Sequence, residues 1–206
     1  MARAQGFTVS DAATQAALDT AGDRFDGYET TEIADARVLA LFDAGQVQVP
    51  SLDSGATGFA VLDRTPFYVE SGGQVSDTGV LASDEVAVDV LGMSRLVAGG
   101  PRVHHVTVTR GTLRTDGLVA ARVDRPRRAA IRRNHTATHL LHAALRQTLG
   151  THVKQAGSLV APDRLRFDFV HTGTIAATDL DAIERIVNTE IMRNTNVQTT
   201  VRRLHQ

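Results

Sequence analysis

The chain has 206 residues, of which 42% are hydrophobic and 22% charged, a balance typical of a soluble globular protein with one large or two small domains. Its net charge of −1 argues against a protein that binds nucleic acid with a surface that is basic throughout. The chain has no cysteine, which excludes disulfides, thiolate metal ligands and a cysteine nucleophile. It shows neither a membrane-spanning apolar run nor an apolar signal segment, so we expect a cytoplasmic protein with no membrane partner.

The first half of the chain is predicted to be mostly β structure. A short helix over residues 11–20, capped by Ser10, comes first. Short apolar runs between turn signals then follow from residue 28 to about residue 123. The six predicted strands cover residues 37–42, 47–49, 58–62, 86–91, 103–109 and 118–123. Many short strands at regular spacing are typical of a small closed β-barrel. No glycine-rich fingerprint supports ATP or NAD binding.

Residues 65–79 interrupt the strands with a segment too rich in glycine and polar side chains for a core strand. Gly72 and Gly73 permit a sharp bend and let a ligand or another backbone come close. Gln74 and Asp77 add hydrogen-bonding groups. The segment is either a long surface loop between barrel strands or a loop that reaches over a polar substrate, and composition leaves both open.

A helix is predicted to begin after Asp124, with Pro126 in its first turn, and to continue to Leu149, with a kink at Asn134 left open. Five arginines crowd its first part: Arg125, Arg127, Arg128, Arg132 and Arg133. In a chain of net charge −1 they form either a solvated helix face or a local patch that contacts phosphates.

The same helix carries two histidines, His135 and His139, at the spacing i, i+4. This spacing places both imidazoles on one helix face, where they can converge on one metal ion. The alternative is a pair of polar residues on a solvated or hydrogen-bonded face. His142 shares the face, and we interpret it as a residue that packs or lies on the helix surface.

The remaining elements complete an α+β chain. A hairpin is predicted from residues 151–160 and 164–170. It is followed by a helix that starts at Thr178 as its N-cap and ends near Asn194, and by a last strand over residues 197–201. The buried stripe of the second helix is expected to comprise Leu180, Ile183, Ile186, Val187 and Ile191. The predicted division is an N-terminal segment (residues 1–27), a β-barrel domain (28–124) and an α+β portion (125–206).

Four motifs, in this order along the chain, resemble alanyl-tRNA synthetase and the free-standing alanyl-tRNA editing proteins. They are TPFYVESGGQ at residues 65–74 with DTG at 77–79, NHTATHLLH at 134–142, QAGSL at 155–159 and RLRFDF at 164–169. The resemblance covers roughly residues 28–194 and concerns the β-barrel and the editing domain of the family. It implies a small β-barrel followed by an incomplete editing domain.

The resemblance also implies an activity, hydrolysis of tRNA(Ala) mischarged with serine or glycine. Such a second site is needed because a pocket for a small side chain cannot exclude near-isosteres well enough. By position, His135 and His139 correspond to zinc ligands, Thr136 lines the site, and Gln155 contacts the aminoacyl group. The loop Gly72–Gly73–Gln74 corresponds to a segment near the acceptor end of the tRNA. We expect Arg127, Arg128 and Arg132 to contact acceptor-stem phosphates.

The zinc pattern departs from that of the family. The family completes its site with a later Cys-x-x-x-His element, which this sequence lacks; His205 does not lie in such a motif. Two histidines fall short of the three or four protein ligands of a zinc site, so stable zinc binding is not expected. The chain resembles either a part of a longer enzyme or a reduced relative.

Two other functions remain open. The chain could be a non-catalytic tRNA-binding module, or a structural piece whose histidines only pack. An incomplete domain would expose the apolar edges of its second helix and hairpin, so we also expect self-association.

Overall fold

A computed structural model describes residues 7–10, 12–21, 24–197 and 200. Its helices are α1 (Ala12–Ala21), α2 (Arg125–Leu149) and α3 (Ala177–Arg193). Its strands are β1 (Glu32–Asp43), β2 (Gln48–Val49), β3 (Ser51–Asp53), β4 (Thr57–Leu62), β5 (Gly79–Ala82), β6 (Ala87–Arg95), β7 (Arg102–Arg110), β8 (Thr112–Arg114), β9 (Leu118–Val123), β10 (Lys154–Val160) and β11 (Leu165–Val170). The chain divides into two compact units, Met1–Ile131 and Arg132–Gln206, and the division falls within α2.

The first unit is built around a closed barrel. Among the described residues, strands pair in the order β1-β4-β7-β6-β5-β9, and β9 pairs again with β1 to close the ring, every pairing being antiparallel. Strand β2 adds to the outside edge of β1, and the short strands β3 and β8 pair with each other. The predicted small barrel and the α+β class are therefore confirmed.

The side chains that point inward, every second residue along a strand, fill the barrel. In β9, Val119, Ala121 and Val123 point inward and are buried, whereas Arg122 is exposed and pairs with Glu32 of β1. Period-2 alternation of this kind lets one strand face join the core while the other meets water. The main core cluster also includes Phe67 and Val69 from the long loop between β4 and β5.

Strand β5 is essential to closure, yet it was absent from the sequence-based prediction, as were β3 and β8. It begins at Gly79, where an added Cβ would lie 2.1 Å from the Arg122 carbonyl oxygen of β9. The glycine is there because two backbones approach closely. A glycine in such a context has the sequence appearance of a loop, which is why the strand was missed.

A buried chain of hydrogen bonds fastens the start of the long loop to the barrel. The Phe67 N–H donates to Thr65 Oγ1 (3.1 Å), which lies 2.8 Å from His104 Nε2. His104 Nδ1 lies 3.0 Å from the Ala60 carbonyl oxygen. Because a carbonyl only accepts, Nδ1 carries the proton, and the Thr65 hydroxyl donates to Nε2. Burial is the main cause that lowers the pKa of His104 to about 4, so this ring is neutral in the folded protein.

The second unit contains the remainder of α2, the β10–β11 hairpin and α3. Its core cluster comprises Ala144, Leu145, Val153 and Ile183, with the rings of Phe167 and Phe169 packed against it. The predicted helix over residues 125–149 is confirmed and runs as one element without interruption at Asn134. The Asn134 amide instead donates to the Ala161 carbonyl oxygen at 2.7 Å.

Helix α3 differs in part from its prediction. It begins at Ala177, its N-cap residue is Ala176 and no side chain caps it, so the assignment of Thr178 as the cap was wrong. Its end is confirmed, with Asn194 in the left-handed conformation at φ 49°. The predicted strand over residues 197–201 lies mostly outside the described residues.

Candidate functional site

The two histidines of α2 form a stacked pair. Their ring centroids lie 5.0 Å apart with an interplanar angle of 22°, and both side chains are exposed. Desolvation and, second, the proximity of His139 lower the pKa of His135. This shift favours the neutral imidazole, which is the form that binds metals.

The pair does not by itself fit a zinc ion. Within the part of the chain that the structure describes, no group of three or more His, Cys, Asp or Glu side chains is placed to hold a metal. A structural zinc needs four protein ligands and a catalytic zinc usually has three. His135 and His139 therefore supply only part of such a donor set, and His205 lies outside the described residues.

His142 lies one turn further along α2 and has a different environment. Its ring centroid is 5.1 Å from that of Phe167, and its buried Nε2 has no hydrogen-bond partner among the described residues. These contacts are those of a packing residue, as the sequence suggested.

Thr136 and Gln155 are both exposed side chains of the second unit. Thr136 follows His135 on α2, and Gln155 lies on β10 opposite Phe169. The register of the hairpin shifts between Gln155 and Gly157, which marks a bulge. A bulge re-aims the side chains beside it and is common at functional sites.

In the first unit, the glycine pair forms a tight turn. Ser71 and Gln74 exchange two backbone hydrogen bonds of 3.2 and 3.0 Å across Gly72 and Gly73, whose φ angles are 60° and 84°. Positive φ at both central positions is what a type I′ hairpin turn requires. Gly72 is exposed with open space around it, whereas Gln74 is buried. The segment is thus an ordered hairpin tip rather than a loose loop.

Arg128 is buried, and all three nitrogens of its guanidinium donate hydrogen bonds within the first unit. Its Nε donates to both carboxylate oxygens of Asp77 at 2.8 and 2.9 Å, and its Nη2 also contacts that carboxylate. Nη1 donates to the Gly27 carbonyl at 2.9 Å and Nη2 to the Pro66 carbonyl at 2.8 Å. These contacts argue against the expected phosphate contact at Arg128, because its donors have protein acceptors and its side chain is only 9% exposed.

The other arginines of α2 are more accessible. Arg127 is half-buried and donates from Nη1 to the Ser76 carbonyl oxygen at 2.7 Å, while its backbone N–H is capped by the Asp124 carboxylate at 3.0 Å. The exposed side chains of this set are those of Arg125, Arg132 and Arg133. They remain candidates for phosphate contacts.

No helix among the described residues is both long and apolar enough to cross a membrane.

Comparison with known proteins gives consistent matches. The family model for class II (A) tRNA synthetases matches residues 2–127. The alanine–tRNA ligase of Pseudomonas entomophila strain L48 is 50% identical over 182 residues, which cover 88% of this chain and 20% of that protein. The alanine–tRNA ligases of Chromohalobacter salexigens and Bordetella petrii are 47% and 44% identical over 93% and 97% of this chain, which is 22% of each relative. The chain thus spans about a fifth of the length of the curated relatives it matches.

Proposed function

Because this chain belongs to the class II (A) tRNA synthetase family, we propose that it serves an alanine–tRNA ligase as the region that hydrolyses tRNA(Ala) mischarged with serine or glycine. The three alanine–tRNA ligases are similar to it along most of its length. The observation that carries the proposal is the exposed, stacked pair of His135 and His139 with Thr136 between them on one helix. That helix also presents exposed arginines suited to an RNA backbone.

The proposed reaction is hydrolysis of the ester between the amino acid and the terminal ribose. Water attacks the ester carbonyl, the bond to the ribose oxygen breaks, and that oxygen takes a proton to regenerate the free hydroxyl of the tRNA. The amino acid leaves as its carboxylate, and the second proton of the attacking water passes to solvent. Thr136 and Gln155 supply hydroxyl and amide groups that hold the aminoacyl moiety, and they distinguish a serine hydroxyl from the methyl group of alanine by hydrogen bonding.

Metal is assigned no step in this reaction, because the described residues supply only two imidazoles. We expect the purified chain to retain well under one zinc per molecule after dialysis, as measured by elemental analysis. One tightly held zinc per monomer that is lost in a His135→Ala variant would contradict this expectation.

The decisive test is deacylation of seryl-tRNA(Ala) by the purified chain. We expect hydrolysis above the spontaneous rate, with a loss of about tenfold or more in Gln155→Ala, within the range that single hydrogen-bond donors contribute in active sites. Lys154→Ala is the matched control, since Lys154 is the exposed neighbour of Gln155 on β10. Absence of hydrolysis by the wild-type chain would refute the proposal.

A second candidate is a binding module that recognises tRNA without hydrolysing it. The exposed arginines of α2, Arg125, Arg132 and Arg133, support this alternative, because they can contact phosphates without any catalytic group. In that case the chain binds tRNA(Ala) and leaves its ester intact. Each arginine that neutralises a phosphate releases counterions from the RNA, so the slope of log affinity against log salt should become shallower by about one unit in Arg132→Gln. An unchanged slope would remove Arg132 from the RNA contact.

A further inference from the structure

An aromatic cluster lies on the surface of the first unit, and none of its side chains was assigned to the candidate site. The Phe25 ring centroid is 4.9 Å from that of Tyr28 and 6.1 Å from that of Tyr68, both in edge-on geometry. The Arg102 guanidinium lies over the Phe25 ring at 4.3 Å from its centroid. Tyr28 is 86% exposed. We call these four residues the aromatic surface.

The aromatic surface is notable because the chain as a whole has few aromatic residues. The chain has seven phenylalanines, two tyrosines and no tryptophan, and both tyrosines lie in this cluster. A large aromatic ring left in water does not stabilise the fold by burial. Tyrosine and arginine are instead the residue types that concentrate at contact surfaces.

The backbone beneath the cluster is held rigidly. Phe25 forms a parallel bridge with Thr65, and Gly27 has no room for a side chain, since an added Cβ would lie 2.3 Å from both the Phe25 ring and the Pro66 carbonyl oxygen. Arg128 donates to the carbonyls of both Gly27 and Pro66. The buried arginine thus fixes the two segments that present the rings, and little ordering is needed on binding.

The local charge points to stacking rather than to phosphate capture. Arg24 lies 3.7 Å from the Asp26 carboxylate, which offsets its charge, and Arg102 is placed on an aromatic face. Unpaired nucleobases stack on tyrosine and phenylalanine rings and beside arginine planes, with little dependence on sequence. Tyr68 also brings the cluster close to the glycine turn in space, since its hydroxyl is 3.4 Å from the Ser71 carbonyl oxygen.

We propose that the aromatic surface is a binding site for unpaired nucleobases, and that it receives the single-stranded 3′ end of the RNA. The choice of RNA as the ligand rests on the proposed function, whereas the site itself rests on the geometry of Phe25, Tyr28, Tyr68 and Arg102.

The test combines one change in the RNA with one change in the protein, and it uses the full chain. Affinity is measured by filter binding for an intact tRNA(Ala) transcript and for one trimmed of its four unpaired 3′ nucleotides, with wild type and Tyr28→Ala. For wild type, the affinity for trimmed tRNA should be about tenfold lower than that for intact tRNA, in the range for a stacked base. For Tyr28→Ala, the same two affinities should differ by less than twofold. Tyr28→Phe should behave as wild type, because the ring is retained. Leu91→Ala, a change at another exposed apolar side chain of the same unit, is the control.

Tyrosine fluorescence gives a second measurement, since the chain has no tryptophan to mask it. Intact tRNA should quench it more than trimmed tRNA does. Equal losses on trimming in wild type and Tyr28→Ala, or no binding at all, would overturn the site. Self-association that disappears in Tyr28→Ala while RNA binding is unchanged would assign the surface to a protein contact instead.

The two proposals fail separately. A chain that deacylates seryl-tRNA(Ala) but shows no coupling between Tyr28 and the 3′ end retains the proposed function and loses the aromatic surface. A chain with the coupling and no hydrolysis retains the aromatic surface and loses the proofreading reaction.

Discussion

Arg128 shows how one residue can belong to a basic segment by sequence and to the core by structure. A buried guanidinium is tolerated only where a carboxylate and further acceptors surround it. Asp77, Gly27 and Pro66 provide them, and the Asp77 carboxylate also accepts the Tyr68 N–H at 2.7 Å. This arrangement joins the first turns of α2 to both ends of the long loop that carries the glycine turn.

We therefore expect Arg128→Ala to lower the free energy of unfolding by about 3–5 kcal/mol, because it leaves the buried Asp77 charge without its partner. Urea denaturation measures the loss. Arg125→Ala, at an exposed arginine of the same helix, is the control and should change stability little. Arg128→Met combined with Asp77→Asn should recover part of the loss, since both charges are then removed. Equal stability of Arg128→Ala and wild type would refute the structural role.

His104 yields a prediction about pH. Its pKa is about 4 in the folded protein and 6.5 ordinarily. Above pH 6.5 the ring is neutral in both states and its contribution to stability is fully present. As the pH falls from 6.5 to 4, the unfolded chain gains a proton that the folded protein does not, and stability decreases by up to about 3 kcal/mol.

Urea midpoints at pH 7, 5.5 and 4.5 test this expectation, with His104→Gln as the comparison. The variant should be less stable than wild type at pH 7, and the difference should shrink as the pH falls, because glutamine does not titrate. A constant difference across this range would show that His104 is not held neutral by the fold.

At the scale of elements, Gly72 and Gly99 can be compared directly, because they share the same kind of backbone conformation and surroundings. Both have positive φ, 60° and 75°, and an added Cβ at either would meet nothing within 4 Å. Alanine at either position should therefore destabilise the protein by about 1 kcal/mol through backbone strain alone. Thermal unfolding measures this effect.

Only the Gly72→Ala variant should also weaken tRNA binding, because Gly72 lies in the turn that we expect near the acceptor end of the tRNA, whereas Gly99 lies between β6 and β7. Filter binding measures the affinity of each variant for tRNA. Equal affinity of Gly72→Ala and Gly99→Ala for tRNA would place the turn outside the RNA contact.

At the scale of the whole molecule, the second unit leaves apolar side chains in water. Leu180, Ile191 and Met192 of α3 are 52%, 50% and 82% exposed, although Ile183 of the same helix is buried. The predicted buried stripe is thus confirmed only at its centre, with Ile186 and Val187 packed against the core cluster. Exposed apolar patches of this kind favour association.

We expect the purified chain to self-associate at micromolar concentrations, as judged by light scattering. A double variant, Ile191→Glu with Met192→Glu, should shift the population to monomer, because charges are excluded from an apolar contact. Leu91→Glu, at an exposed side chain of the barrel, should leave the association unchanged. A wild-type monomer at all concentrations would contradict the prediction.

The sequence alone was sufficient to predict a small barrel as the architecture, the long α2 helix, the hairpin and the position of His135 and His139 on one helix face, because the patterns that indicate them are local. It was also sufficient for the family, through motifs that stay recognisable in one chain. The strand that closes the barrel, the burial of Arg128 and the aromatic surface were decided only by the tertiary structure. The reason is physical, because all three are long-range arrangements: a glycine where two backbones approach closely, a charge beside a partner 51 residues away, and rings from two segments joined by an arginine from a third. No local pattern specifies which distant groups will meet.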